Sequence, residues 1–305
     1  MKIDLVVPYV NCNDPTWQDV YKKTREEYGL NIREKDMNGI RYRELGFFKY
    51  FFRGLYYFCP WINNIYIILA STSQIPEWLN IDNPKIHIVF HKDIIPKVFL
   101  PTFNSTCIEM FIKNIKGLSE YFLYANDDMY IIDDLTPDMF FTDDGIPKYK
   151  MIKSNKIGNQ YRKVCFNEFE MVRNLFKRRS LGKNTYLKPQ HIFQPMCLST
   201  VKEAYYAFEL HILNSITAFR KETNINQYIY TLYQAFKGQR ISDYPSYRYY
   251  ELNDKGIEDA GNDIRIKKYK IICLNDSANT NKEKAINELV DSFEFIFMNK
   301  CEYEK

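Results

Sequence analysis

Glycine is scarce in this chain, with 11 among 305 residues. None of G-x-x-x-x-G-K-[ST], G-x-G-x-x-G, G-x-S-x-G or H-E-x-x-H occurs, so the reactions those motifs support lose ground. Any phosphate would have to be handled by metal and side chains rather than by a glycine cradle. No C-x-x-C occurs either. The seven cysteines (Cys12, Cys59, Cys107, Cys165, Cys197, Cys273 and Cys301) are odd in number and widely spaced. That argues against a disulfide framework or a zinc site and for a reducing compartment. Long hydrophobic runs are missing too. The longest uncharged stretch, 54–76, contains Pro60, Asn63 and Asn64 and does not read as a membrane span. Asp4 interrupts the apolar run 1–10, so no signal peptide is read there. Neither charge sign dominates: 42 Lys+Arg against 38 Asp+Glu leaves +4. This is too little and too dispersed to argue for nucleic acid. Arg265 to Lys268 reads as a solvated basic face. A cytoplasmic protein is expected, with peripheral association at the inner face of the cell membrane left open.

What the chain has in plenty is aromatic residues: Tyr 25, Phe 22 and Trp 3. Two explanations compete. The rings could form stacking platforms for sugars, with Tyr9, Trp17, Phe103 and Phe193 nearest the candidate site below. They could also reflect an AT-rich genome and a core built from the residues it encodes.

Apolar runs at 3–10, 64–70, 86–90, 121–125 and 269–274 read as strands. Helical patterns at 17–28, 41–58 and 105–113 lie between them, with Asp14 as N-cap before Pro15 and Ser105 as a second cap. This alternation predicts an α/β fold, a Rossmann-like or glycosyltransferase-A-like, mainly parallel sheet. Helices at 162–179, 199–213 and 224–236 predict a helical insertion in the second half, and 281–298 a final helix. The expected organisation is a single catalytic domain over 1–305, with a core sheet at about 1–150 and 265–305 and a helical subdomain at about 155–240.

Asn126, Asp127 and Asp128 follow a buried strand, at the edge where open α/β sheets bind ligands. Adjacent carboxylates there repel each other, and a divalent cation would relieve the repulsion; an acidic turn capping the next helix is the alternative. Asn275 and Asp276 repeat the pattern after the 269–274 run, where an Asx-turn would explain them equally well. Among four histidines, His191 lies in a proline-flanked loop, which suits acid–base chemistry better than a helix face. Arg220 could fork onto a phosphate, or be a plain surface charge.

Taken together, these segments resemble the Stealth family of hexose-1-phosphate transferases. The similarity runs from Ile3 through Asn11 and Asp14 to Trp17. It continues from Arg41 through Arg53, Gln74, Trp78, His91, Asn104, Ser105 and Glu109 to Asp128. It then covers His191, Gln194 and Pro195, and finally Arg220 to Gln234 with Cys273 to Asp276. Some positions depart from the family pattern, among them Cys12, Ser73, Glu44, Leu198 and Asn224. The resemblance implies transfer of sugar-1-phosphate from a nucleotide sugar such as UDP-GlcNAc to a hydroxyl of an acceptor glycan, in capsular or cell-surface polysaccharide synthesis. A phosphodiester forms and a nucleoside monophosphate leaves. It implies Mg²⁺ or Mn²⁺ on Asp127, Asp128 and Asp276, with His191, Arg220 and Asp127 catalytic. It implies Asn11, Asp14, Arg41, Asn104 and Glu109 as substrate-binding residues, and it leaves the oligomeric state open. Two other readings stand beside it: a metal-dependent glycosyltransferase that releases UDP, and a non-catalytic glycan-binding module.

Overall fold

The computed structural model describes residues 1–30, 42–238 and 244–305. Strand β1 (Ile3–Pro8) lies at the centre of a five-stranded sheet. It pairs in parallel with β2 (Ile62–Leu69) on one side and β4 (Tyr121–Tyr124) on the other. β3 (Ile86–Phe90) extends the parallel set beyond β2. β8 (Gln194–Cys197) closes the other edge, antiparallel to β4. Being covered on both faces, β1 needs apolar residues at successive positions rather than at alternate ones. Leu5 and Val7 enter one hydrophobic cluster and Val6 the other. Asp4 is fully buried in this strand, yet both its oxygens are used. Oδ1 accepts from Asn63 Nδ2 and the Asn64 amide, and Oδ2 from the Ser119 amide. The charge that broke the N-terminal apolar run thus ties the starts of three strands together.

Helix α1 (Pro15–Glu27) begins as expected, with Asp14 accepting from the Thr16 amide and Pro15 in the first turn. Helix α2 (Phe48–Phe58) has no side-chain cap. Packing holds it: Phe51, Phe52 and Leu55 are all buried, each worth about 1.5–3 kcal/mol, more than the ~1 kcal/mol of a cap. At Gly54 a Cβ would collide with the Ile131 carbonyl oxygen, so only glycine allows this close approach.

A second, three-stranded sheet orders β5 (Met129–Ile131), β10 (Ile271–Asn275) and β9 (Tyr247–Glu251). Helices α8 (Asp254–Arg265) and α9 (Lys282–Ile296) pack on it. On the other side of the main sheet lie α3 (Ser105–Met110), α4 (Gln160–Leu175), α5 (Leu198–Ala207), α6 (Glu209–Ser215) and α7 (Tyr228–Phe236). A hairpin of β6 (Met151–Ser154) and β7 (Tyr186–Pro189) joins them. No helix among the described residues is long and apolar enough to cross a membrane.

The sequence expectations need several corrections. The cap of α3 is Asn104, not Ser105, because the Asn104 carbonyl oxygen Oδ1 reaches the Thr106 amide. The expected 199–213 helix breaks at Phe208 into α5 and α6. The expected helix at 224–236 starts only at Tyr228, since the preceding amides donate to buried carboxyl groups instead. Pro195 hid β8, but proline is tolerated on an edge strand. Tyr9, Trp17, Phe103 and Phe193 are all buried and stack on other rings, so none offers a face to a sugar.

Candidate active site at the seam of two sheets

The backbone of β4 continues through Ala125, whose amide donates to Val6, and then turns at Asn126 to Asp128. The Met129 amide donates to the Asn126 carbonyl, and the Leu274 amide to the Asp128 carbonyl. This turn carries the chain from the first sheet into the second, and it sets the two carboxylates at their seam. Because β8 runs antiparallel to β4, with Gln194 opposite Tyr124, the loop before β8 arrives at the same end. That loop carries His191. Its shape is set by bonds on every side. Gln194 Nε2 donates to the carbonyls of Gln190 (2.7 Å) and Ile192 (2.9 Å), and the Tyr247 hydroxyl to Gln190 Oε1 at 2.9 Å.

His191 Nε2 lies 3.2 Å from Asp128 Oδ2, and its Nδ1 3.4 Å from the Tyr228 hydroxyl. The Cys273 thiol, from β10, donates to the same Asp128 Oδ2 at 3.3 Å. Asp128 Oδ1 is buried and has no partner among the described residues. A cleft of about 290 Å³ opens beside the histidine. Glu109, Asn126, Arg220, Gln227 and Tyr228 line it. Arg220 rides on a loop that Asn224 organises. Asn224 Oδ1 accepts from the Lys221 amide and from Asn104 Nδ2, while its own Nδ2 donates to Thr217 Oγ1. The Arg220 guanidinium in turn reaches Ser105 Oγ.

The electrostatics set the two aspartates apart. Burial pushes Asp127 up, and the charges of Asp128 and Glu44 push it further, to about 8. For Asp128 burial also pushes upward, but the His191 charge and hydrogen bond with the Cys273 thiol outweigh it and hold the carboxyl low. His191 answers in kind: burial favours its neutral form, yet Asp128 and Glu109 raise it above its ordinary value. Burial lifts Glu109 as well, partly offset by the Gln227 amide, Arg220 and His191. Asp127, Asp128 and Glu44 crowd one end of the turn, with Asp128 Oδ1 unpartnered among the described residues. A hard divalent cation suits that arrangement, because it would neutralise the crowding and take the orphaned oxygen.

Other expected site residues sit elsewhere or are occupied. Both oxygens of Asp14 are in use, Oδ1 on the Thr16 amide and Oδ2 on Ser73 and Gln74. Asn11 Oδ1 accepts from the Asn13 amide within the same turn. Asn104 is 1% exposed and uses its side chain to cap α3 and hold the Arg220 loop. Both oxygens of Asp276, expected as a third metal ligand, accept from a fork of Arg43. Arg41 lies outside the described residues. Sequence reasoning missed Cys273, Tyr228 and Gln227 as neighbours of the histidine. Only the pairing of β10 with β5 and the docking of α7 bring them there. It also missed Glu44 as a charge acting on Asp127.

Fold and candidate site together point to a class: an α/β protein with its candidate site at the carboxyl edge of a mainly parallel sheet. The family profile for Stealth protein CR2, conserved region 2, matches residues 41–149. The capsular polysaccharide phosphotransferase WcwK of Streptococcus pneumoniae is 32% identical over 99% of both chains. The receptor polysaccharide phosphotransferase WefC of Streptococcus oralis is 30% identical, again over 99% of each. Among solved structures, an active-site mutant of LgtC overlays with a TM-score of 0.44 at 11% identity, covering 95% of this chain and 96% of the other. The chain belongs to the Stealth family of polysaccharide phosphotransferases.

Proposed function

We propose that this protein transfers sugar-1-phosphate from a nucleotide sugar to a hydroxyl of a growing cell-surface polysaccharide. The acceptor oxygen attacks the sugar-bearing phosphorus of the donor. The bond from that phosphorus to the bridging oxygen of the pyrophosphate breaks, a nucleoside monophosphate leaves, and a phosphodiester remains. Such transfer asks for positioning and charge neutralisation more than covalent help. The observation that carries the reading is the convergence of His191, Asp128, Glu109 and Arg220 around one cleft. Family membership supplies the reaction class.

His191 takes the acceptor's proton. With Nε2–H donated to Asp128 Oδ2, the lone pair is left on Nδ1, on the side where the Tyr228 hydroxyl now sits. Tyr228 thus marks the direction from which an acceptor hydroxyl would approach. Arg220 binds the transferred phosphate and stabilises its charge. Glu109, held by the Gln227 amide and the Tyr124 hydroxyl, faces the sugar. Asp127 and Asp128 Oδ1 would hold Mg²⁺ or Mn²⁺, which would supply charge neutralisation on the pyrophosphate. Asn11, on the turn after β1, and Arg41 complete the donor side. Asn104 supports the site by capping α3 and holding the Arg220 loop, and Asp14 is kept on the donor side with Asn11.

Residues from both halves of the chain build the site, so we read 1–305 as a single catalytic domain. The seven cysteines are buried and unbridged, which fits work in a reducing cytoplasm, peripheral to the inner face of the cell membrane. The test is the nucleotide released when the protein is incubated with UDP-GlcNAc, Mg²⁺ and an acceptor glycan. UMP is expected. UDP would instead establish glycosyl transfer, and no nucleotide release would leave only glycan binding.

A further inference from the structure

The spacing of the cysteines argues against a zinc site within any one stretch of sequence. The fold assembles one from distant stretches. Asp128, His191 and Cys273 each offer one ligand atom, and the three atoms lie within 4.8 Å of one another. Two of the separations are known closely: 3.2 Å from His191 Nε2 to Asp128 Oδ2 and 3.3 Å from Cys273 Sγ to that oxygen. Tetrahedral zinc, with its usual bond lengths, holds ligand atoms roughly 3.3–3.6 Å apart. Those two separations already lie close to that range, and the third, between His191 and Cys273, is at most 4.8 Å. The ligand set is one sulfur, one imidazole nitrogen and one carboxylate oxygen. It suits Zn²⁺ and does not suit Mg²⁺, which prefers oxygen throughout. Asp128 and His191 are each about a quarter exposed, at 26% and 27%, so an ion can reach them from the cleft. The fourth position is left for water, as in zinc sites with three protein ligands.

We propose that Asp128, His191 and Cys273 form an inhibitory site for a soft divalent cation, Zn²⁺ in the first place. Binding releases the thiol proton of Cys273 to solvent and puts the metal on His191 Nε2. A neutral imidazole bound through Nε2 carries its proton on Nδ1. The lone pair that accepts the acceptor's proton is then gone, a consequence that rests on the proposed role of His191. The site also separates the two oxygens of Asp128. Oδ2 belongs to the soft cation, and Oδ1 is left to the hard one.

The full chain is titrated with Cd²⁺ while its thiolate-to-metal ultraviolet absorbance is recorded, and with Zn²⁺ against a chromophoric chelator. One equivalent is expected to bind. Cys273→Ser should remove the absorbance, and both Cys273→Ser and His191→Gln should weaken Zn²⁺ binding at least about tenfold, each variant first checked for an unchanged melting transition. Unchanged absorbance in Cys273→Ser, or unchanged Zn²⁺ affinity in both variants, would overturn the site. Zn²⁺ added to the Mg²⁺-supported reaction should slow the unaltered protein at least tenfold. Cys273→Ser should keep its own zinc-free rate at the same concentration. Binding through Cys273 with no loss of turnover would overturn the inhibition and the His191 assignment while the metal site itself stood.

Discussion

Two polar clusters in this protein are finished very differently. The first joins α2 to the C-terminus. Arg53 gives Nε and Nη2 to the two oxygens of Glu304 and Nη1 to Glu294 and the Phe297 carbonyl. Tyr50 completes Glu294 at 2.6 Å. Every strong group there has a partner, and Glu304 is held below its usual range. Burial opposes this, but the hydrogen bonds from Arg53 and the Cys301 amide prevail. The second cluster is the seam around His191. There Asp128 Oδ1 and Gln227 Oε1 are buried without partners among the described residues, and Asp127 is driven up to about 8 by burial and its acidic neighbours. Structural clusters satisfy their polar groups; sites that await a ligand leave some open.

Variants should pull the two clusters apart. Asp127→Asn is expected to cut turnover at least 100-fold, by the magnitude usual for a lost catalytic group. Its melting temperature in metal-free buffer should hold or rise, since the change removes a crowded carboxyl group. Mg²⁺ should raise the melting temperature of the unaltered protein and not that of the variant. Equal Mg²⁺ stabilisation of both would contradict the metal assignment.

Arg53→Met should do the reverse. It strands Glu304 as a buried charge, and breaking such a pair costs about 3–5 kcal/mol. Denaturant unfolding would show it, while turnover measured well below the new midpoint stays close to normal. An unchanged unfolding midpoint would mean the knot contributes little.

Acid adds a sign test of the same cluster. The folded pKa of Glu304 lies below its ordinary 4.5. Its stabilisation is therefore complete above about that pH and fades as the pH falls through the folded value. The melting temperature should drop on that limb, and Arg53→Met should flatten it.

A smaller effect is expected from Asn104→Ala, which removes the cap of α3 and the tie to Asn224. About 1 kcal/mol of stability should go, with a loss of turnover through the slackened Arg220 loop. Stability loss with unaltered kinetics would show that this loop needs no such tie.

The same contrast explains what could be read before the structure. Strands β1 to β4 and β10 announce themselves as apolar runs, and α1 by Asp14 and Pro15. The carboxylate pair at Asp127 and Asp128 stood out because a strand ran straight into it, and His191 because its loop is bounded by prolines. What stayed hidden depends on pairing between distant segments. Nothing local marks Met129–Ile131 as a strand, or Cys273 as a neighbour of His191. Asp276 looked like a third ligand because its local sequence repeats the first pair. Its fork from Arg43, 233 residues away in sequence, could not be read there. Exposure was misjudged for the rings, since an aromatic next to a site in sequence can still be core in space.

The most direct measurement is the turnover of His191→Ala, read together with its melting temperature. The proposed mechanism requires a fall of at least 100-fold in nucleoside monophosphate release, with the transition unmoved because the histidine lies in the open cluster and not the closed one. A near-normal rate in a folded variant would contradict it.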